Sequence, residues 1–168
     1  MGMLGSYMMI DELTLGSLIG LENDDLFEKI EELNESEEIE CYDIDKLWDG
    51  LHFLLTGKSA SNPIDGNKLS EAIVGTYVFN EDENADFISY TKQEHLSEMI
   101  HSLKDININK LKSNFNLAKF RKAKIYPNIW LDDQKDSLFD ELIQEYKNVL
   151  NFYEKAVEKK ANVVVSIY

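Results

Sequence analysis

The chain begins and ends on apolar stretches, and between them hydrophobic residues recur mostly at helical intervals. Met3 to Ile10 is apolar with small residues and predicts a first strand. Asp11 suits the cap of a short helix running to about Ile19, with Gly20 near its end. A second helix opens at Asp24 or Asp25 and places Leu26, Phe27, Ile30 and Leu33 on one face. A third is predicted over Asp45 to Thr56, where Gly57 can end it in a left-handed conformation. Leu47, Leu51, Leu54 and Leu55 supply its core face, with Leu51, Leu54 and Leu55 expected to be buried. Lys58 to Asn67 contains Pro63 and Asp65-Gly66 and reads as a loop. A short helix over Leu69 to Val74 leads to strands near Thr76 to Phe79 and Phe87 to Tyr90, separated by an acidic turn.

Thr91 and Glu94 have the spacing of a capping box and predict a helix start at Thr91, with Leu96, Met99, Ile100 and Leu103 inward. Asn107 to Ala123 reads as one or two short helices, and Ile125-Tyr126-Pro127 must break any helix. Asp132 and Asp133 suit the start of a long helix, because carboxylates favour the positive end of the helix dipole. Its apolar positions Leu138, Leu142, Tyr146, Val149, Tyr153 and Val157 are spaced 4, 4, 3, 4 and 4, one face of a helix to about Lys160. Val163 to Ile167 is β-branched and closes the chain as a strand that can lie beside the first. Short strands interrupted by unequal helices, with no regular βαβ alternation, predict an α+β fold. The expected form is a single domain over residues 1–168, with a mostly antiparallel or mixed sheet packed by several helices.

Charge narrows the function classes. With Lys+Arg 17 against Asp+Glu 32, the net charge is −15. Phosphate neutralisation needs clustered basic residues, so no nucleic acid and no anionic membrane surface are expected as partners. A basic protein partner fits this charge better. Charge is also segregated. Glu22 to Glu40 holds ten acidic residues and one Lys, and Lys104 to Lys124 holds seven basic residues and Asp105. The two segments either attract each other within the fold or leave an acidic face for a partner. The single cysteine, Cys41, excludes an internal disulfide and a thiolate metal site, and suits a reducing cytoplasm.

The candidate chemistry lies on the third helix. Asp45, Asp49, His52 and Thr56 are spaced 4, 3 and 4 and form one stripe if the whole segment is helical. Trp48 borders it. The expectation is a solvent-accessible pocket wall on which Asp49 hydrogen-bonds His52, His52 being the acid or base. Alternatively the pair merely satisfies itself. A nearby carboxylate should raise the histidine pKa unless burial opposes it. No metal is expected, since these residues are too few converging ligands. No cofactor is implied, because no glycine-rich phosphate loop, serine elbow or Walker motif is present.

The run DIDKLWDGLHFLLTG, Asp43 to Gly57, resembles the signature of the YfbM-like proteins, a bacterial family of unknown function. The opening MGMLGSY and the IYP at Ile125 to Pro127 are similar to that family's other landmarks, in the same order. The resemblance covers nearly the whole chain and implies an α+β fold and a bacterial, cytoplasmic protein. It marks Lys46, Trp48, Asp49, His52, Thr56 and Gly57 as family-like, and implies no activity. Two functions follow as expectations. The first is a non-enzymatic binding or interaction protein, inhibitor-like or immunity-like toward a basic partner. The second is a small-ligand or acid/base site on Asp45, Lys46, Trp48, Asp49, His52 and Thr56.

Overall fold

A computed structural model describes residues 2–168; Met1, part of the family-like opening, lies outside them. One five-stranded antiparallel sheet organises the chain, in the order β2-β1-β5-β4-β3. The strands are β1 (Gly5–Ile10), β2 (Cys41–Asp45), β3 (Tyr77–Val78), β4 (Phe87–Thr91) and β5 (Asn162–Ile167). The first and last strands pair along their whole length, Gly5 opposite Ile167 through Ile10 opposite Asn162, so the two ends of the chain build the centre of the sheet. Alternation sends Tyr7, Met9, Val163, Val165 and Ile167 to one face and Met8, Ile10 and Val164 to the other.

Each face is covered by helices. On the smaller side lie α1 (Glu12–Leu18) and α2 (Asn23–Glu35), which bury Leu15, Leu18, Leu26 and Ile30. Asp11 caps α1 as expected, accepting the Thr14 amide at 2.7 Å. The larger side holds α3 (Trp48–Thr56), α4 (Lys68–Val74), α5 (Leu96–Lys104), α6 (Ile108–Asn114), α7 (Leu117–Lys122) and α8 (Lys135–Glu158). Tyr7 and Tyr153 fasten α4 to this core, donating to the carbonyls of Ile73 at 2.7 Å and Ala72 at 2.6 Å. Burial pushes both phenols far above their ordinary pKa, so both remain donors.

Four sequence expectations change. Asp45, expected to open the third helix, instead ends a strand, Cys41–Asp45, so the helix begins at Trp48. Leu51 and Leu55 are buried but Leu54 is half-buried, since the inward side of the helix runs through Trp48, Asp49, Leu51, His52 and Leu55. Thr91 ends β4 instead of capping a helix. Its hydroxyl meets Thr76 at 2.9 Å, and the free Gln93 amide is taken by Asn162 of β5 at 2.9 Å. Finally, α8 follows a 3-10 turn at Asp132–Gln134, and Val157 faces outward while Phe152 and Ala156 are buried beside it.

Candidate functional site

The start of α3 is set by a bulge. Gly5 pairs with Asp45 and Ser6 with Asp43, which leaves Ile44 as an extra residue pointing into the core. Asp45 takes a left-handed conformation, φ 63°, at the point where the strand leaves the sheet. A side chain at Gly5 would place its Cβ 2.7 Å from Ile44 and 3.2 Å from Trp48, so glycine is needed for α3 to cross this closely. At the far end Gly57 has φ 78° and donates to the Phe53 carbonyl at 2.8 Å, the left-handed cap expected from sequence.

This geometry divides the predicted stripe. Asp45 and Lys46 precede the helix and are exposed, whereas Trp48, Asp49 and His52 are buried and Thr56 is half-buried. Trp48 stacks on Tyr126 at 5.4 Å and donates to the Met3 carbonyl at 3.2 Å. The Asp49 carboxylate accepts from the Ser59 hydroxyl (2.9 Å), the Ala60 amide (2.7 Å) and the Tyr126 amide (2.9 Å). It therefore ties α3 both to the loop that follows it and to the segment before Pro127. A buried carboxylate needs such donors, since desolvation opposes its charge.

His52 does not hydrogen-bond Asp49. Its Nδ1 lies 2.7 Å from the Lys58 carbonyl and its Nε2 2.7 Å from Ser70 Oγ. A carbonyl only accepts, so Nδ1 carries a proton and Nε2 of the neutral ring accepts from the Ser70 hydroxyl. Ser70 Oγ in turn accepts the Ile64 amide at 3.0 Å. Burial lowers the His52 pKa, opposed by the Lys58 carbonyl and by the charge of Asp49. The expected upward shift is thus reversed by desolvation. Thr56 completes the turn, donating to the His52 carbonyl at 2.8 Å.

Sequence reasoning missed Ser70, Lys58 and Tyr126 as partners. Ser70 lies 18 residues from His52, and two of the three bonding groups are backbone atoms. Backbone acceptors and donors leave no mark in residue identity.

Open space lies before α3. A cleft of about 630 Å³ is lined by Asp45, Lys46, Leu47, Glu141 and Glu145 together with Gly2 and Leu4. A second, of about 610 Å³, shares Gly2, Leu4 and Asp45 and continues past Ser6, Asp43 and Cys41 on the other face of the sheet. Burial raises the Glu145 carboxyl, and one of its oxygens has no hydrogen-bond partner among the described residues. Burial, with Asp43 and Glu40 nearby, also raises the Cys41 thiol, which holds it in the unreactive protonated form. No group of three or more metal-ligating side chains converges among the described residues.

The model of a domain of unknown function, DUF1877, matches residues 1–166. The chain belongs to the DUF1877 family. It is 28% identical to Protein YfbM of Escherichia coli (strain K12) over 160 residues, covering 95% of this chain and 94% of that protein. The crystal structure of YfbM, described as a protein of unknown function, superposes with a TM-score of 0.82 at 24% identity, covering 98% of this chain and 99% of that one. The family resemblance read from the Asp43–Gly57 run is therefore correct, and so is the α+β fold with its long C-terminal helix. No described helix is long and apolar enough to cross a membrane.

Proposed function

We propose that this member of the DUF1877 family is a non-enzymatic interaction protein that docks a basic partner in the cytoplasm, in the manner of an inhibitor or immunity protein. One observation carries the reading. The acidic segment Glu22 to Glu40 is not neutralised by the basic segment Lys104 to Lys124. The first lies on α2 and the turn after it, on one side of the sheet; the second lies on α6 and α7, on the other. Among the described residues, the acidic segment's ion pairs are Lys29 with Glu32 and Glu40 with Lys155 and Lys159. Asp24, Asp25, Glu28, Glu35, Glu37 and Glu38 remain exposed and unpaired among those residues. Such a field steers and selects a basic surface. The single cysteine supports a reducing compartment, and the same charge opposes nucleic acid. Capture from the native cell extract tests the proposal, comparing the wild type with a variant carrying Asp25→Lys, Glu28→Lys and Glu35→Lys. A basic protein retained by the first and lost by the second is expected; equal capture by both refutes the reading.

A second reading keeps His52 as an acid or base, with Asp49 beside it. It is favoured by the His52–Ser70 bond, in which the ring tautomer is fixed and Ser70 borders a cleft of about 310 Å³ with Ile64, Glu71 and Tyr77. Against it stands burial: His52 is 0% exposed and Ser70 1%. Ser70 labelling by a fluorophosphonate probe would favour this reading, and its absence leaves the pair as a latch.

A further inference from the structure

The sheet has two edges, and they differ. β3 is a two-residue strand, whereas β2 is five residues long and pairs on one side with β1. The Met9 amide donates to the Glu40 carbonyl, so by antiparallel alternation Tyr42 also bonds β1 while the amides and carbonyls of Cys41 and Asp43 point away from the sheet. Beside this edge runs one face of α8. Glu141 and Glu145 border the cleft at the Asp45 end, and Asn148, Phe152 and Lys155 border a smaller one, about 280 Å³, at the Cys41 end. The spacing of these residues, 4, 3, 4 and 3, puts both clefts along one face of α8 beside β2. Tyr42, which borders the cleft at the Cys41 end, and Glu145, at the Asp45 end, each have a side-chain oxygen with no hydrogen-bond partner among the described residues.

Resting on the interaction reading above, we propose that a basic, extended segment of the partner protein adds to β2 as a sixth strand, held by the outward backbone groups of Cys41 and Asp43. Charge selects the occupant. Glu40 is already paired with Lys155 and Lys159, but Asp43, Asp45 and Glu141 are exposed without a cationic partner among the described residues. A lysine or arginine opposite Asp43 forms a favourable cross-strand pair. A second copy of this chain would instead bring Asp43 and Asp45 near their own counterparts, between molecules of charge −15 each. Edge carboxylates thus discourage self-pairing while admitting a basic strand.

The test is amide hydrogen exchange by NMR on the whole protein, titrated with a blocked peptide of alternating lysine and valine. The control is the same peptide N-methylated at alternate valines, which cannot complete the strand bonds. At a peptide concentration of about ten times Kd, the Cys41 and Asp43 amides should exchange roughly tenfold more slowly. The methylated peptide should give no protection, and Asp43→Lys should abolish it. Peptide binding that perturbs α2 without protecting Cys41 and Asp43 overturns strand addition and leaves the interaction reading standing. No binding of the peptide also overturns strand addition, and the interaction reading is then judged by the capture experiment alone. Concentration-dependent protection without peptide overturns the proposal in favour of self-association.

Discussion

Lys58 offers His52 a carbonyl oxygen and Ser70 a hydroxyl, and the ring has no exposed surface. Those surroundings accept the neutral ring and resist the imidazolium, so the folded-state pKa lies below the unfolded one. The unfolded chain then takes up the extra proton first. The stability His52 contributes is complete above about pH 6.5 and is lost as pH falls through that value toward the folded pKa. We expect the urea midpoint of the wild type to fall more between about pH 7.5 and 5.5 than that of His52→Gln, which has no proton to gain there. Equal slopes would show that the ring titrates freely. Asp49 makes a complementary case. In Asp49→Asn, Oδ1 can keep the Ser59 and Ala60 donors, but the new NH2 faces the Tyr126 amide. The Tyr126 amide and the new NH2 then face each other with no acceptor between them, at about 1–3 kcal/mol for each unpaired donor, readable by urea denaturation. An unchanged midpoint would mean that the Tyr126 contact holds nothing.

The helix carrying both residues has two glycines with opposite requirements. Gly50 is helical, where alanine ordinarily stabilises by about 0.5–1 kcal/mol. Here, however, a Cβ would sit 2.4 Å from the Trp130 ring. Gly50→Ala should therefore destabilise by about 1–3 kcal/mol through overpacking, and a stabilised variant would mean that Trp130 does not pack on α3. Gly57 has open space around it but a left-handed backbone, so Gly57→Ala should cost about 1 kcal/mol by strain alone. Thermal unfolding of both variants reads the two effects. Gly57 was legible in sequence because a helix stop needs only local chemistry. The Gly50 contact was not, because Trp130 approaches from 80 residues away. The same divide runs through the other elements. The cap of α1 at Asp11 and most of the apolar face of α8 follow from local spacing, whereas the caps of α6 and α7 at Asn107 and Asn116 are not singled out by it. β2 was hidden because Asp43 and Asp45 look like a helix start when read locally, and only pairing with β1 makes them strand. Of the candidate site, the residues of α3 were legible as a group, but the division into exposed Asp45 and Lys46 and buried Asp49 and His52 depended on that unseen strand.

At the scale of the whole molecule, the fold closes only when its last residues arrive. β5 lies between β1 and β4, hydrogen-bonded to both, and all six of its residues are buried. Val163 and Val165 fill the core under α8, while Val164 fills the core over α1 and α2. Asn162 also holds the start of the turn after β4, and its amide donates to Glu12 of α1 at 3.0 Å. Deleting residues 162–168 would remove the middle of the sheet, leave facing edges on β1 and β4 unpaired, and open both hydrophobic clusters together. Each fully buried aliphatic side chain contributes about 1.5–3 kcal/mol. Losing four of them removes about 6–12 kcal/mol, comparable with the roughly 5–15 kcal/mol that separates a native domain from its unfolded chain, and the strand's hydrogen bonds to β1 and β4 are lost with them. The truncated chain should therefore retain helical far-ultraviolet dichroism but lose its near-ultraviolet signal and bind a hydrophobic dye, with no sigmoidal urea transition. A shortened chain that still unfolds cooperatively would show that the two helical layers hold each other without the central strand, and that the sheet is not what joins them.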